Sequence, residues 1–379
     1  MPLKIALVLT GGLHPSGTDE IIPAILALVE RLAHGHDLHA FVVRHLPSPT
    51  TYRLAGATVH DLGRPTGRWR QWRALARALS EYGPFDVIHG YWIDPGGLLA
   101  AIAGRRLAVP SVVTCDSGEF VSLPEIDYGL LRTARGRSVV RLACGLATRL
   151  HVATDHMAAQ ARDLGYSPIT IPIGIPVDAG VPTDRGEIDP KRLLQVASLN
   201  RVKDQGLLLR TLAKVRQQAA VHLDLVGEDT LGGELQREAA RLGLTEAVTF
   251  HGFVQNADLG RFYRSADLYV QSSRHEAAGV SVLEAASYGL PVVGTRVGYI
   301  SDWAPEAAVA VAPADPDALA AAIIRLLEHP HERRTIAANA YRRAAAHDAD
   351  WTARMLSDLY ESLARRSAVG DSDSEHTQR

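Results

Sequence analysis

Short apolar runs alternate with longer segments of helical periodicity along nearly the whole chain. Helical patterns occupy, for example, residues 19–33 and 93–107. Strands that alternate with helices in this way predict βαβ units around a parallel sheet that is buried on both faces. Two successive sets of strands predict two doubly wound α/β domains rather than one large sheet. The apolar runs are KIALVLT, LHAFVV, DVIHG, SVVTC and LHVAT in the first half, then LLQVASL, VHLDLVG, AVTFHG, DLYVQ, PVVGT and AVAVA in the second.

A stretch that is dense in Pro, Gly and Asp and shows no period separates the two sets of strands. We therefore predict an N-terminal domain over residues 1–178, a linker over 179–190 and a C-terminal domain over 191–349. A last long helix is predicted over about residues 350–365. The tail that follows, residues 366–379, is polar and is predicted to be disordered.

Composition narrows the class of protein. Hydrophobic residues make up 46% of the 379 residues, enough for each half to bury a core. The formal net charge of −2 provides no overall field for nucleic acid, so we expect no nucleic-acid partner. Two cysteines, Cys115 and Cys144, cannot build a disulfide framework or a metal cluster, which favours a reducing compartment. No run is long enough to span a membrane. We expect a soluble cytoplasmic protein and leave open a peripheral contact with the inner face of a membrane.

The loops that follow the strands hold the candidate chemistry, because ligands of open parallel sheets bind at the carboxyl ends of strands. The first such loop begins at Thr10 and contains Gly11 and Gly12. Its glycines allow the backbone to approach a ligand, and the next helix N-terminus favours an anion. The loop lacks both the G-x-G-x-x-G spacing of dinucleotide-binding proteins and the Lys-Ser/Thr of a P-loop, which argues against a nicotinamide dehydrogenase. A tight turn without a ligand explains the glycines equally well.

Two glutamates stand out in the segment after the run DLYVQ. Glu276 precedes a predicted helix that begins near Gly279, and Glu284 lies eight residues after Glu276, inside that helix. A carboxylate in so apolar a segment is costly unless it is hydrogen-bonded, and the two hydroxyls of a ribose would satisfy Glu284. The helix-start amides near Gly279, Val280 and Ser281 would meet a phosphate. The alternative is that Glu284 faces solvent.

A second candidate anion site follows the first strand of the second half, in the loop that begins at Ser198. Arg201 and Lys203 stand in this loop, and a predicted helix begins just after it. Both cations can contact a diphosphate and stabilise the negative charge of a departing nucleotide. A solvated loop with two unrelated cations is the alternative.

Taken in order, SLNRVKD, VHLDLVGED, VTFHGFVQN, RFYRSADLYVQSS and EAASYGLPVVGTRVG resemble the retaining glycosyltransferases of family 4. The resemblance covers nearly the whole chain and is strongest in the second half. It implies the GT-B fold, in which two Rossmann-like domains face each other across a cleft and the last helix crosses back to the first domain. It also implies that Glu276 contacts the transferred sugar, Glu284 the ribose and Lys203 the donor diphosphate. The loop of Gly11 and Gly12 would face the donor phosphates and the acceptor.

The chain departs from the family pattern at several positions. Ser198 stands five residues before Lys203, where the family usually has an arginine, and Arg201 is the candidate replacement. Asp116 stands where a histidine near the reacting sugar is common, and it could accept a hydrogen bond from a sugar hydroxyl. On the acceptor side, the candidates are His14 in the glycine loop and His89 in DVIHGYW.

The resemblance implies transfer of a sugar, with retention of configuration, from a nucleoside-diphosphate sugar to a glycan, lipid or small-molecule acceptor. The donor is a co-substrate, and we expect no metal and no further cofactor. Two alternatives stay open: a non-hydrolysing sugar-nucleotide epimerase, and an inactive nucleotide-sugar-binding protein of the same fold. Residues 67–79, where Trp69 and Trp72 stand among arginines, either pack as a crossover helix or contact a lipid surface or an anionic acceptor.

Overall fold

The computed structural model describes the backbone of residues 2–177 and 190–376. Apart from Pro190, the predicted linker over 179–190 lies outside the described residues. The chain divides into two compact units, of which the first contains Met1–Pro176 and Ala349–Arg379 and the second contains Val177–Asp348.

The first unit is built on an eight-stranded sheet with the order β3-β4-β2-β1-β5-β6-β7-β8. Its strands are β1 (Lys4–Leu9), β2 (Asp37–Val42), β3 (Thr50–Leu54), β4 (Ala57–Asp61), β5 (Val87–Tyr91), β6 (Ser111–Cys115), β7 (Arg149–Val152) and β8 (Ile169–Thr170). Its first five helices are α1 (Pro23–Gly35), α2 (Arg68–Tyr82), α3 (Leu98–Leu107), α4 (Ala134–Leu146) and α5 (Asp155–Asp163). Helix α1 begins four residues later than predicted, because Pro23 suits the first helical position.

One edge of this sheet departs from the expected parallel arrangement. Strands β3 and β4 pair antiparallel, whereas the other neighbouring strands pair parallel. The two-residue turn between them has positive φ at both Ala55 (48°) and Gly56 (83°), which is the backbone of a type I′ hairpin. Alanine at the first of these positions gives no sequence signal for such a turn, which is why the hairpin was not predicted.

The second unit is built on a six-stranded parallel sheet with the order β11-β10-β9-β12-β13-β14. Its strands are β9 (Lys191–Val196), β10 (Val221–Val226), β11 (Val248–Phe250), β12 (Leu268–Gln271), β13 (Val292–Thr295) and β14 (Val309–Val311). Its helices are α6 (Gln205–Val215), α7 (Glu234–Arg241), α8 (Gly260–Ser265), α9 (Val280–Ser287), α10 (Gly298–Trp303), α11 (Pro316–Glu328) and α12 (Pro330–Ala346). All six apolar runs noted in the second half form strands.

The last helix, α13 (Ala349–His376), belongs to the first unit. It extends past residue 365 and so corrects the prediction of disorder for residues 366–376, while residues 377–379 lie outside the described part of the chain. Polar residues continue an existing helix readily, because adding a residue to a formed helix costs far less than starting one.

Helices cover both faces of the first sheet. Along β1, Ile5 and Leu7 face one way and pack with α1 and α13, whereas Ala6 and Val8 face the other way and pack with α2 and α3. This alternation follows from the period-two geometry of a strand. In α2, Leu75 and Leu79 are buried, as expected of a crossover helix. Among the described residues, no helix combines the length and the apolar character needed to cross a membrane.

Two histidines are completely buried in the first unit and share one hydroxyl. Thr114 Oγ1 lies 2.6 Å from His89 Nε2 and 2.7 Å from His151 Nδ1. The remaining nitrogen of His89 lies 2.5 Å from the Tyr360 hydroxyl of α13, and that of His151 lies 2.8 Å from the Ile171 carbonyl. Burial lowers the pKa of His151 to about 4. Burial also lowers the pKa of His89 well below 6.5, and the nearby His151 adds to that effect.

We expect this pair to make the protein acid-sensitive. The unfolded chain binds protons on these histidines near pH 6.5, whereas the folded chain does not, so the stability they confer is present above that pH. It is lost as the pH falls towards 4, by up to about 1.4 kcal/mol per pH unit for each histidine. Thermal unfolding followed by circular dichroism between pH 7.5 and 4.5 measures this loss. His151→Asn should reduce the slope, and a melting temperature that stays constant from pH 7 to 5 would contradict the prediction.

Candidate functional site

In the second unit, the carboxyl ends of β9 and β12 bring two predicted site residues into contact. These strands are neighbours in the sheet, so the loops that follow them lie side by side. Lys203 Nζ, in the loop after β9, donates to Glu276 Oε1, in the loop after β12, at 2.6 Å. Ser273 Oγ donates to the same oxygen at 2.6 Å. Ser273, which was not predicted as a site residue, therefore helps Lys203 to hold the carboxylate of Glu276.

The loop that carries Lys203 is held in place by polar contacts of its own. Asn200 Oδ1 accepts from the Lys203 backbone N–H at 3.0 Å, and Gln205 Nε2 donates to the Ser198 carbonyl at 3.1 Å. Ser272 Oγ donates to the Lys203 carbonyl at 2.8 Å, which joins this loop to the one after β12. These bonds fix the backbone from which the Lys203 side chain reaches Glu276.

The ion pair is shielded from solvent. The side chain of Glu276 is 10% exposed and that of Lys203 is 25% exposed. Removing one partner of such a pair leaves the other charge poorly compensated, which costs far more than losing a pair at the surface.

Glu284 lies on α9 and is held by a phenol. Tyr263 OH donates to Glu284 Oε2 at 2.5 Å. Burial raises the pKa of Glu284, and the bond from Tyr263 partly offsets that rise. The structure thus turns Glu284 towards Tyr263 and away from bulk solvent, which disfavours the surface alternative. Tyr263 stands in RFYRSADLYVQ and is a site residue that the sequence analysis did not single out.

The start of α9 exposes backbone donors beside this pair of glutamates. Its N-cap residue is Gly279, with φ of 89° and no side chain to cap the helix, so the amides that open α9 keep their capacity to bind an anion. Val280 opens the helix, and Tyr269 OH donates to Ser281 Oγ at 2.6 Å. The structure therefore places Gly279, Val280 and Ser281 together at one helix end, as the sequence analysis expected.

Two buried amides also belong to this region and were not predicted. Among the described residues, Gln271 Nε2 and Gln195 Oε1 have no hydrogen-bond partner. Gln271 Oε1 would lie 3.3 Å from a Cβ at Gly279, at the start of α9. A buried polar atom without a partner is costly, and site residues are a common exception. The sequence signal is a glutamine next to apolar residues of a predicted strand, LLQV for Gln195 and LYVQ for Gln271.

In the free protein, Arg201 pairs with a carboxylate and Ser198 contributes its carbonyl to the loop. Both terminal nitrogens of Arg201 contact Glu234, at 3.0 and 2.7 Å, and the two side chains are largely exposed. An exposed ion pair contributes only about 0–1 kcal/mol, so a diphosphate could compete for this guanidinium. Ser198 is exposed, and it is its carbonyl that contacts Gln205.

In the first unit, the glycine loop forms a close turn. Gly12 has φ of 85°, and a Cβ there would lie 2.7 Å from Ile22 Cδ1. Its carbonyl accepts from the Ile22 backbone N–H at 3.1 Å, just before α1. The left-handed backbone and the close contact with Ile22 together account for glycine at position 12 without a ligand, whereas a Cβ at Gly11 would make only an ordinary contact at 3.7 Å. His14, in the same loop, pairs Nδ1 with Ser16 Oγ at 2.9 Å.

His89 is not an acceptor-side residue, which corrects the prediction. Residues 87, 89 and 91 of β5 point to the α13 side of the sheet, so His89 is enclosed in the core with both nitrogens occupied. Asp116, in contrast, follows β6 and is partly exposed at the carboxyl end of the sheet.

A cavity of about 460 Å³ opens at that same end of the first unit. Thr10, Trp92 and Ser117, which follow β1, β5 and β6, line it. Trp92 has φ of 56°, a strained backbone for a bulky residue and a feature that concentrates at ligand sites. Glu119 also lines the cavity; burial raises the pKa of its carboxyl, which accepts from the Ser117 N–H at 2.6 Å. The volume suits a small-molecule site.

Comparisons with known proteins agree with this architecture. The family model described as glycosyl transferase 4-like domain matches residues 21–174, and that described as glycosyl transferases group 1 matches residues 185–343. A D-inositol 3-phosphate glycosyltransferase of Catenulispora acidiphila is 28% identical, covering 95% of each chain. The corresponding protein of Mycobacterium tuberculosis is 30% identical over 59% of this chain and 49% of its own.

Solved structures share the fold at low identity. Sucrose-phosphate synthase from Thermosynechococcus elongatus superposes with a TM-score of 0.76 at 20% identity, over 95% of this chain and 99% of that one. Anabaena HepE in complex with UDP-glucose superposes with a TM-score of 0.73 at 20% identity, over 95% and 100%. The fold and the two matched family models confirm the resemblance seen in the sequence, and this chain belongs to the family 4 glycosyltransferases with the GT-B fold.

Proposed function

We propose that this glycosyltransferase moves a hexose from a nucleoside-diphosphate sugar to a glycan, lipid or small-molecule acceptor, with retention of configuration. The contact of Lys203 Nζ with Glu276 Oε1 at 2.6 Å carries the proposal, because it joins a cation for the diphosphate to a carboxylate for the sugar. Glu284 lies about one turn into α9, where a ribose would satisfy its carboxylate. HepE, which shares the fold, has been solved with UDP and with UDP-glucose, so UDP-hexoses are the first donors to test.

The reaction requires charge stabilisation on the departing diphosphate as the bond from its oxygen to the sugar breaks. Lys203 and the amides that open α9 supply positive charge and hydrogen-bond donors for that oxygen. We therefore propose no metal and no cofactor besides the donor. Arg201 becomes a third contact when it exchanges Glu234 for phosphate oxygens.

Glu276 accepts hydrogen bonds from hydroxyls of the transferred sugar while Ser273 and Lys203 hold its carboxylate. For retention, the acceptor hydroxyl attacks on the face that the diphosphate leaves, and its proton passes to the departing phosphate oxygen. The cavity at Trp92 and Ser117 in the first unit takes the acceptor, with Asp116 nearby in sequence to accept from a hydroxyl.

Glu284→Gln tests the donor half of the proposal. We expect its KM for the donor and its Kd for the free nucleoside diphosphate to rise by about 10- to 100-fold, because neutral amides bind ribose hydroxyls more weakly than a carboxylate does. The change in Kd is measured by titrating wild type and variant with nucleoside diphosphates and recording the melting temperature at each concentration. Comparing the diphosphates identifies the preferred base of the donor. Glu332→Gln serves as the matched control, because Glu332 is partly exposed and pairs with Arg325 away from the site.

The same variant should be more stable than the wild type at pH 7. Burial raises the pKa of Glu284 above its ordinary value of 4.5, so its contribution to stability is present below that pH and is lost as the pH rises through the folded pKa. Glutamine does not ionise and avoids this loss.

If Glu284→Gln bound nucleoside diphosphates as tightly as the wild type does, Glu284 would not belong to the donor site.

A further inference from the structure

A small basic cavity lies in the first unit beside the start of α2. Its volume is about 180 Å³. Three arginines from three separate segments line it, Arg44 after β2, Arg68 at the start of α2 and Arg135 in α4. A single carboxylate, that of Asp94, lines it with them.

The one carboxylate is already engaged. Arg68 Nη2 donates to both oxygens of Asp94, at 2.8 Å each. Among the described residues, the side chains of Arg44 and Arg135 make no hydrogen bond or ion pair. Arg44 and Arg135 are exposed, so both side chains are accessible to a ligand. Arginine binds phosphate through several donors at once, and an anion in the cavity would reduce the repulsion between the cations that line it. The chain also holds Arg44 in the left-handed region, with φ of 76°, a conformation that disfavours any residue with a side chain.

This basic cavity shares one lining residue with the 460 Å³ cavity described above. Asp94 lines both, so its ion pair with Arg68 stands at their common wall. The larger cavity offers the indole of Trp92 for the apolar face of a ring. Ser117 and Tyr128 add polar groups for hydroxyls.

We propose that the acceptor is an anionic polyol, with a phosphate group in the basic cavity and a hydroxylated ring in the larger one. This inference rests on the proposed transferase function and specifies its acceptor. The ionised group comes from one of two sources, a soluble phosphorylated sugar or cyclitol, or the headgroup of a phospholipid. Trp69, next to Arg68 in sequence and 66% exposed, is the feature that makes the lipid source worth testing.

The acceptor requirement is tested on the full chain with a UDP-hexose donor. The arms are hexose phosphates and inositol phosphates, their unphosphorylated counterparts, and vesicles that contain phosphatidylinositol. We expect transfer to phosphorylated acceptors to exceed transfer to the neutral ones by about 10-fold or more in kcat/KM. A product that remains in the vesicles identifies the lipid source, and a water-soluble product identifies the free phosphate. Equal use of neutral and phosphorylated acceptors would overturn the proposal.

Variants separate the basic cavity from charge in general. Arg44→Gln and Arg135→Gln should each raise KM for the phosphorylated acceptor by about 10- to 100-fold and leave KM for the donor unchanged. Arg73→Gln serves as the control, because Arg73 is exposed on the same α2 and does not line the cavity.

Inorganic phosphate provides a readout that does not need transfer. It should bind the wild type in a calorimetric titration and bind Arg44→Gln and Arg135→Gln more weakly, while nucleoside-diphosphate binding stays the same in all three. If the wild type bound no nucleoside diphosphate, that result would instead contradict the proposed function. Phosphate affinity that is equal in the wild type and both variants would overturn the anion site even if transfer proceeds.

Discussion

Lys203→Ala is expected to lower kcat/KM for transfer by about 10²- to 10³-fold, the loss typical when a group that stabilises a leaving charge is removed. The ammonium contacts Glu276 at 2.6 Å in the free protein, so both the cation for the diphosphate and the position of the sugar-binding carboxylate are lost together. Glu276→Ala should cause a loss of similar size. Steady-state kinetics with a UDP-hexose and an acceptor that supports turnover measure both effects.

The chain offers a matched control for this substitution. Lys214 also pairs with a carboxylate in the second unit, 2.8 Å from Asp317, but that pair is exposed. Lys214→Ala should therefore keep its activity. The double variant Lys203→Ala/Glu276→Ala should recover part of the stability that either single change removes, because no buried charge is left without its partner, yet it should recover no activity. Full activity in both single variants would refute the proposed site.

Gly298→Ala is expected to destabilise the second unit and to impair transfer at the same time. Gly298 has φ of 53°, and a Cβ there would lie 2.3 Å from the Ala278 carbonyl oxygen and 2.9 Å from Glu276 Cβ. The left-handed backbone and the overlap together should lower the free energy of unfolding by about 2–4 kcal/mol. Relief of the overlap must also move the segment that carries Glu276. Chemical denaturation and kinetics on the same sample measure the two effects.

Gly232→Ala separates strain from overlap. Gly232 also has positive φ, 60°, but a Cβ there would have no heavy atom within 4 Å. Its cost should therefore be that of the backbone alone, about 1–2 kcal/mol, without an effect on transfer. Equal costs at positions 232 and 298 would show that the close approach to Glu276 does not matter.

Much of the fold could be predicted because its signals are local. Each apolar run of the second half forms a strand, and the rule that ligands gather at carboxyl ends correctly grouped Lys203 with Glu276 across 73 residues of sequence. The β3–β4 hairpin could not be predicted, since Ala55-Gly56 is an unusual pair of residues for its turn. Ser273 and Tyr263 could not be predicted as site residues because serine and tyrosine are common. Only their distances to the two glutamates distinguish them from other serines and tyrosines of the chain.

The sequence by itself determined the two α/β units and the family, and it singled out Glu276, Glu284 and Lys203. The two units follow from periodicity, and Glu284 follows from the cost of placing a charge in an apolar segment. The family and the roles expected of Glu276 and Lys203 follow from motifs that lie within short stretches of chain. Only the tertiary structure decided which partner each polar group takes. It directs His89 to Tyr360 and Arg201 to Glu234, and it brings Arg44, Arg68 and Arg135 around one cavity. Partners that lie far apart in sequence are selected by how strands and helices pack, and no local pattern records that choice.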